Sequence, residues 1–167
     1  MPLGTLVTRL RGKVAFTGNC NFIEKYIDKI PELEGFAEVR RNVHLDNWEV
    51  VDNKGFAKIG KMYFTHGDIL KNGKFHTDKM VQVSERNIFY GHFHTLQSFV
   101  KVNSFDCEPH MAMCIPCGCD KNPDYMKNKP SAWVNGFGVF YIMPNGNFNV
   151  YPIISSKDHF IFNGKYY

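Results

Sequence analysis

Three histidines lie in two short segments of the sequence that each contain a glycine. His92 and His94 stand two residues apart in Gly-His-Phe-His, and His66 stands in Thr-His-Gly. On an extended backbone, side chains two residues apart leave the same face, so this spacing predicts two imidazoles that bind neighbouring cations. Imidazole binds Zn, Mn, Fe, Co and Ni, so the residues indicate a metal site without selecting the metal. Taken alone, a His-x-His pair is as typical of core histidines whose ring nitrogens bond protein groups.

These histidines follow short apolar runs that predict β-strands, and a third such run ends in Gly-Asn. The runs are 13–16, 62–64 and 87–90. Because ligands in α/β folds gather where adjacent strands end, we expect the three imidazoles to meet. The amide oxygen of Asn19 becomes a fourth candidate ligand only through these partners, since Gly-Asn alone is typical of a turn.

The remaining patterns predict a mixed α/β layered architecture. Helical spacing of apolar residues predicts helices over 21–30 and 75–85. Strand patterns predict an outer strand over 96–102 and two hairpins, one from 48–51 with 56–64 and one from 137–143 with 148–154. Asn145-Gly146 in the second hairpin favours a type I′ turn. The proline-rich segment 106–135 predicts loops.

The bulk composition indicates one globular domain over residues 1–167. The chain has 167 residues, 44% of them hydrophobic, which suits a single core. No apolar run is long enough to cross a bilayer, and 1–16 lacks the apolar core of a secretory signal. We therefore expect a soluble, cytoplasmic protein. The net charge of +4 permits a polyanionic substrate without requiring one, and it favours a mildly basic solvated surface over a nucleic-acid patch.

Five cysteines, an odd number, predict free thiols rather than a disulfide framework. Cys114, Cys117 and Cys119 could form a zinc knuckle with His110. No second Cys-x-x-Cys pair exists and Cys107 is poorly spaced for one, so the sequence favours free thiols in a loop.

The order Gly-Asn, His-Gly, Gly-His-x-His resembles the last three motifs of the calcineurin-like metallophosphoesterases, over about residues 13–102. The segment 125–138 resembles the tail of phage and prophage members of that superfamily. The resemblance implies a layered α/β-β/α sandwich. It also implies hydrolysis of phosphomonoesters or phosphodiesters by in-line attack of a metal-bound hydroxide, in the host cytoplasm if a phage encodes the chain.

The resemblance also assigns ligands for two divalent ions, which could be Mn, Zn, Fe, Ni or Mg. It places Asn19, His66 and His92 on one ion and His94 on the other. Asp68 and His76 become candidates for groups that support these ligands, although a solvated loop aspartate and a histidine at a helix start are equally typical.

Two departures from the family pattern affect catalysis. Cys20 stands where the family has its catalytic histidine, and a thiol cannot carry the positive charge of an imidazolium beside the leaving group. The Asp-x-His and Gly-Asp-x-x-Asp motifs, whose carboxylates hold and bridge the two metals, do not occur. The chain therefore resembles the C-terminal portion of the family domain, and we expect an incomplete or impaired phosphoesterase unless a separately encoded N-terminal half completes it.

Two other functions remain open at this stage. A non-catalytic metal-binding or interaction module could keep the fold and lack turnover, as Cys20 suggests. A phosphodiesterase that processes nucleic acid is compatible with the net charge of +4, and it would require DNA binding that weakens steeply with salt.

Overall fold

The computed structural model describes residues 6–9, 12–17, 48–52, 55–70, 73–105, 107–120, 126–127, 131–157 and 159–167. Twelve strands and one α-helix lie within these ranges. The helix predicted over 21–30 and the candidate residues Asn19 and Cys20 lie outside them.

Among the described residues, the elements follow one another as strands, with one helix after the fifth strand. The strands are β1 (Leu6–Arg9), β2 (Gly12–Thr17), β3 (Glu49–Asp52), β4 (Ala57–Ile59), β5 (Met62–Thr65), β6 (Asn87–Tyr90), β7 (Gln97–Val102), β8 (Pro109–Cys114), β9 (Gly136–Ile142), β10 (Phe148–Ile154), β11 (Ile161–Phe162) and β12 (Lys165–Tyr166), and the helix is α1 (His76–Ser84).

The largest sheet has five strands in the order β4-β5-β6-β8-β7. Its three inner strands, β5, β6 and β8, run parallel, and the outer strands β4 and β7 pair antiparallel to their neighbours. Three smaller sheets are formed by β1-β2-β3, β9-β10 and β11-β12. The protein is thus a mixed α/β structure, as the sequence predicts.

Side chains of the five-stranded sheet alternate between two buried clusters, as a period of two residues requires. On β6, Phe89 joins one cluster, while Ile88 and Tyr90 join the other. On β8, Met113 and Ala112 are divided in the same way. Both faces of the inner strands are therefore covered, as is usual for parallel sheets.

The β9–β10 hairpin supplies aromatic side chains that cover the face of the sheet on which Phe89 lies. The ring of Phe89 lies 5.1 Å from that of Phe140 and 5.6 Å from those of Phe64 and Phe148, measured between centroids. Edge-to-face pairs at such distances add to the free energy gained by burial. The hairpin is therefore held to the sheet by an aromatic cluster.

Helix α1 covers the opposite face with Met80 and Val81, both fully buried. The helix predicted over 75–85 is confirmed with bounds His76–Ser84, and it ends where Glu85 takes a left-handed conformation at φ 48°. Within the part of the chain that the structure describes, no helix is long and apolar enough to cross a membrane.

The predicted hairpin of 48–51 with 56–64 is wrong in its pairing. Strand β3 pairs in parallel with β2, and 56–64 itself contains the hairpin β4–β5. The reversal occurs at Gly60, whose φ of 59° favours glycine. Because Gly60-Lys61 lies inside an apolar run, alternation alone did not reveal it.

The loop-rich reading of 106–135 is wrong for residues 109–114, which form β8 in the middle of the sheet. Its first residue is Pro109, a position where a strand tolerates proline because no ladder donor is lost in its interior. The remaining residues, including two methionines and a cysteine, have little β propensity, and burial between β6 and β7 determines their conformation.

The second hairpin is confirmed, but its turn is not type I′. Asn145 does not have a positive φ, and Gly146, at φ 85°, donates its N–H to the Met143 carbonyl. Both residues of Asn163-Gly164, between β11 and β12, do have positive φ, at 49° and 69°. The type I′ pattern of positive φ therefore occurs at Asn163-Gly164 and not at Asn145-Gly146.

We expect Phe89→Ala to lower the free energy of unfolding by about 3–5 kcal/mol, because it opens a cavity among three aromatic rings. Urea denaturation followed by circular dichroism measures the change. Phe105→Ala is the matched control, since Phe105 is fully exposed and its loss should change stability by less than about 0.5 kcal/mol. Equal effects of the two substitutions would contradict the aromatic core.

Candidate metal site

The site is built at one edge of the sheet because the three inner strands end together. Thr65 pairs with Tyr90, and Tyr90 pairs with Cys114, at the last positions of β5, β6 and β8. Beyond these pairs, Gly91 donates its N–H to the His66 carbonyl at 3.0 Å. The segments that follow the three strands are thus held side by side.

His66 and His92 are brought together by this alignment. His66 Nε2 lies 3.2 Å from His92 Nδ1, and the ring planes meet at 74°. Two nitrogens that bind one tetrahedral Zn²⁺ at about 2.0–2.1 Å lie about 3.3 Å apart, so this separation suits a shared cation. His66 Nδ1 is buried and has no hydrogen-bond partner among the described residues.

The environment of His66 and His94 favours the neutral imidazole, the form that binds metals. Burial lowers the pKa of His66, and the neighbouring His92 lowers it further, against an opposing effect of Asp68. Burial also lowers the pKa of His94, again with a contribution from His92. The three rings therefore lie close enough to influence one another electrostatically. Of the three, His94 alone belongs to a group of at least three described candidate ligands whose atoms lie within 4.8 Å of one another.

The backbone conformation of His92 and His94 differs from the extended one that the sequence suggested. Their φ angles are 61° and 58°, both in the left-handed region. Histidine is among the residues enriched there, and such conformations cluster at functional sites. The two imidazoles also contact different partners, since His94 Nδ1 lies 3.7 Å from Cys119 Sγ.

Two thiols complete a group that sequence reasoning did not assemble. His94, Cys117 and Cys119 are half-buried, and their ligand atoms all lie within 4.8 Å of one another. Cys119 donates to Cys117 at 3.2 Å between sulfurs. This group could hold a metal ion, so the structure supports a metal site at this end of the strands.

The zinc-knuckle alternative named the wrong imidazole and one wrong cysteine. His110 lies on β8 opposite Lys101, four residues before the end of the strand. Cys114 is buried within β8 rather than in a loop, and it donates to the Gly91 carbonyl at 3.4 Å. Burial raises the pKa of Cys114 to about 11, so its thiol stays protonated and serves the fold. The described cysteines are free thiols, as predicted.

His76 supports the loop that carries the candidate ligands His92 and His94. Its Nδ1 lies 2.7 Å from the Tyr90 hydroxyl and its Nε2 lies 3.1 Å from Thr95 Oγ1, so both ring nitrogens have partners. The ring stacks on Phe93, between the two histidines of Gly-His-Phe-His, with centroids 4.1 Å apart and planes at 5°. Burial lowers the pKa of His76 and keeps it neutral.

Asp68 acts on the site through its charge, which raises the pKa of His66. A nearby carboxylate stabilises positive charge at an imidazole and, by the same attraction, a cation bound to it. Asp68 and His76 thus both influence the ligand residues, one by electrostatics and the other by packing.

We expect Gly67→Ala to lower the free energy of unfolding by roughly 1–3 kcal/mol or more. Gly67 has φ 108°, and an added Cβ would lie 2.7 Å from Tyr90 Cδ2. Urea denaturation checks the loss. Gly118→Ala is the matched control, because its Cβ would meet no atom within 4 Å and its φ lies outside the positive range. A Gly67 variant as stable as the Gly118 variant would contradict the close packing of Gly67 on Tyr90.

Comparisons with known proteins place this geometry in no family: no protein-family model, no curated protein and no solved structure matches the chain.

Proposed function

We propose that the chain is a metal-dependent phosphoester hydrolase of the metallophosphoesterase type. The observation that carries the proposal is the 3.2 Å approach of His66 Nε2 to His92 Nδ1, with His94 two residues further along the same loop. Two imidazoles whose nitrogens face each other where adjacent parallel strands end suit a shared cation.

The layers of the structure support the same proposal. The inner parallel strands carry a helix on one face and a β-hairpin on the other, with the histidines where those strands end. A layered α/β-β/α sandwich of the metallophosphoesterase kind would extend this arrangement. The sequence motifs, not any matched relative, connect it to that superfamily.

His66 and His92, with Asn19, would hold one divalent ion, and His94 would hold a second. Bound dications would lower the pKa of a bound water and neutralise charge on the phosphoryl oxygens. The residues of this chain would orient the phosphoester, and Cys20 would stand near the leaving oxygen. Because general-acid assistance contributes about 10²–10⁴-fold, a thiol at that position should make turnover slow.

All four of these ligands are neutral, and the Asp-x-His and Gly-Asp-x-x-Asp motifs do not occur in the sequence. Carboxylates contributed by a separately encoded N-terminal half would compensate the charge of the ions. We therefore expect the chain alone to bind metal and inorganic phosphate while hydrolysing esters only at a very low rate.

Two measurements test the proposal. Binding of inorganic phosphate, followed by calorimetry, should require Mn²⁺, and hydrolysis of bis(p-nitrophenyl) phosphate should be barely detectable. Cys20→His should raise that rate by about 10²–10⁴-fold because it restores an imidazole beside the leaving group. His92→Ala should lower the affinity for phosphate by more than about 100-fold. Loss of a group that only orients a metal ligand typically costs about 10–100-fold.

His159→Ala is the matched control, since His159 stacks on Tyr166 rather than joining the ligand group. Mn²⁺-dependent phosphate binding that survives in His159→Ala and disappears in His92→Ala supports the proposal. Phosphate binding that is independent of metal overturns it. Metal binding with no hydrolysis even in Cys20→His also overturns it and favours the non-catalytic module.

A further inference from the structure

We propose that His94, Cys117 and Cys119 form a thiolate–imidazole site for Zn²⁺ that takes three ligands from the described residues. The site goes beyond the proposed phosphoester hydrolysis, because it rests on its own geometry and shares only His94 with it. Within a dinuclear centre it would give the second ion thiolates where the resembled family has carboxylates, and that part rests on the proposed function.

The interatomic distances suit coordination. A tetrahedral Zn²⁺ with bonds of about 2.3 Å to sulfur and about 2.0–2.1 Å to nitrogen holds a sulfur and a nitrogen about 3.6 Å apart, and two sulfurs about 3.8 Å apart. The observed distances are 3.7 Å between Cys119 Sγ and His94 Nδ1 and 3.2 Å between the two sulfurs. The third pair, Cys117 and His94, has its ligand atoms within 4.8 Å of each other. The two sulfurs must therefore move apart by about 0.6 Å to hold a common zinc ion.

The backbone already holds the three ligands in place. Val134 donates its N–H to the His94 carbonyl at 2.8 Å, and Cys117 donates its N–H to the Val134 carbonyl at 2.9 Å. The side-chain amide of Asn135 donates from Nδ2 to the Cys119 carbonyl at 2.9 Å. One segment thus bonds to all three ligand residues, so binding a cation requires little further ordering of the chain.

A ring contact fixes the orientation of the imidazole. Trp133 lies edge-on to His94, with centroids 4.3 Å apart and planes at 76°. This contact restricts rotation of the imidazole and leaves Nδ1 on the side of Cys119. Packing and backbone hydrogen bonds that hold ligands in this way are typical of built metal sites.

The donor set selects the metal class. Two thiolates and an imidazole favour Zn²⁺ over Mg²⁺ or Mn²⁺, which prefer oxygen ligands. On binding, each thiol releases its proton to solvent, and the two thiolate charges balance the dication without any redox change. Among the described residues the group has three ligands, the number that catalytic zinc sites take from protein, and a fourth position would then accept water or a phosphoryl oxygen.

The test is Co²⁺ titration of protein that has been reduced and desalted without oxygen. Coordination by thiolates should give a near-ultraviolet sulfur-to-cobalt charge-transfer band that saturates at one ion per chain and disappears on addition of Zn²⁺. Cys117→Ser and Cys119→Ser should each lower the band by roughly half and weaken Zn²⁺ binding by more than about tenfold. Cys107→Ser is the control, because that thiol is exposed and lies outside the group.

Two further variants separate this site from the proposed hydrolase. His66→Ala should keep the cobalt band while losing Mn²⁺-dependent phosphate binding, whereas the double variant Cys117→Ser, Cys119→Ser should lose the band and keep its circular dichroism spectrum. Absence of the band in fully reduced wild-type protein, or an unchanged band in the folded double variant, overturns the site.

Discussion

The common end of three parallel strands is the constraint on which the rest of the structure depends. Residues Thr65, Tyr90 and Cys114 stand in register, so the chain leaves β5, β6 and β8 at the same edge. Parallel pairing requires cover on both faces, which α1 and the β9–β10 hairpin provide. The core therefore stabilises the fold and, through the same register, decides which polar residues meet.

The loop after β6 carries two of the candidate ligands. Two left-handed residues, His92 and His94, direct their imidazoles to different neighbours. Left-handed conformations cost free energy for residues with a Cβ, and the surrounding structure must compensate them. Here Phe93 stacks on His76, whose two ring nitrogens both have partners inside the fold. His76, which is not one of the candidate ligands, thus helps to hold this loop in its conformation.

The sequence allowed prediction of the elements whose signals are local. Strand β6, helix α1 and the second hairpin follow from periodicity and turn residues, and the meeting of His66 with His92 follows from strands that end alike. Strand β8 was not predicted, because its residues adopt a strand only when neighbours bury them. Without β8, nothing placed Cys117 and Cys119 beside His94. Their Cys-x-Cys spacing after an apolar run was the available signal.

Charge distinguishes the two parts of the ligand group. His66 and His92 would be neutral ligands, with the charge of Asp68 nearby, so a dication bound there would keep most of its charge. Cys117 and Cys119 would become thiolates on binding and would neutralise a dication completely. A first soft ion should therefore occupy the thiolate side. A second ion at the imidazole pair would then face a neutral neighbour rather than a repelling one, so the thiols would make the histidine position easier to fill.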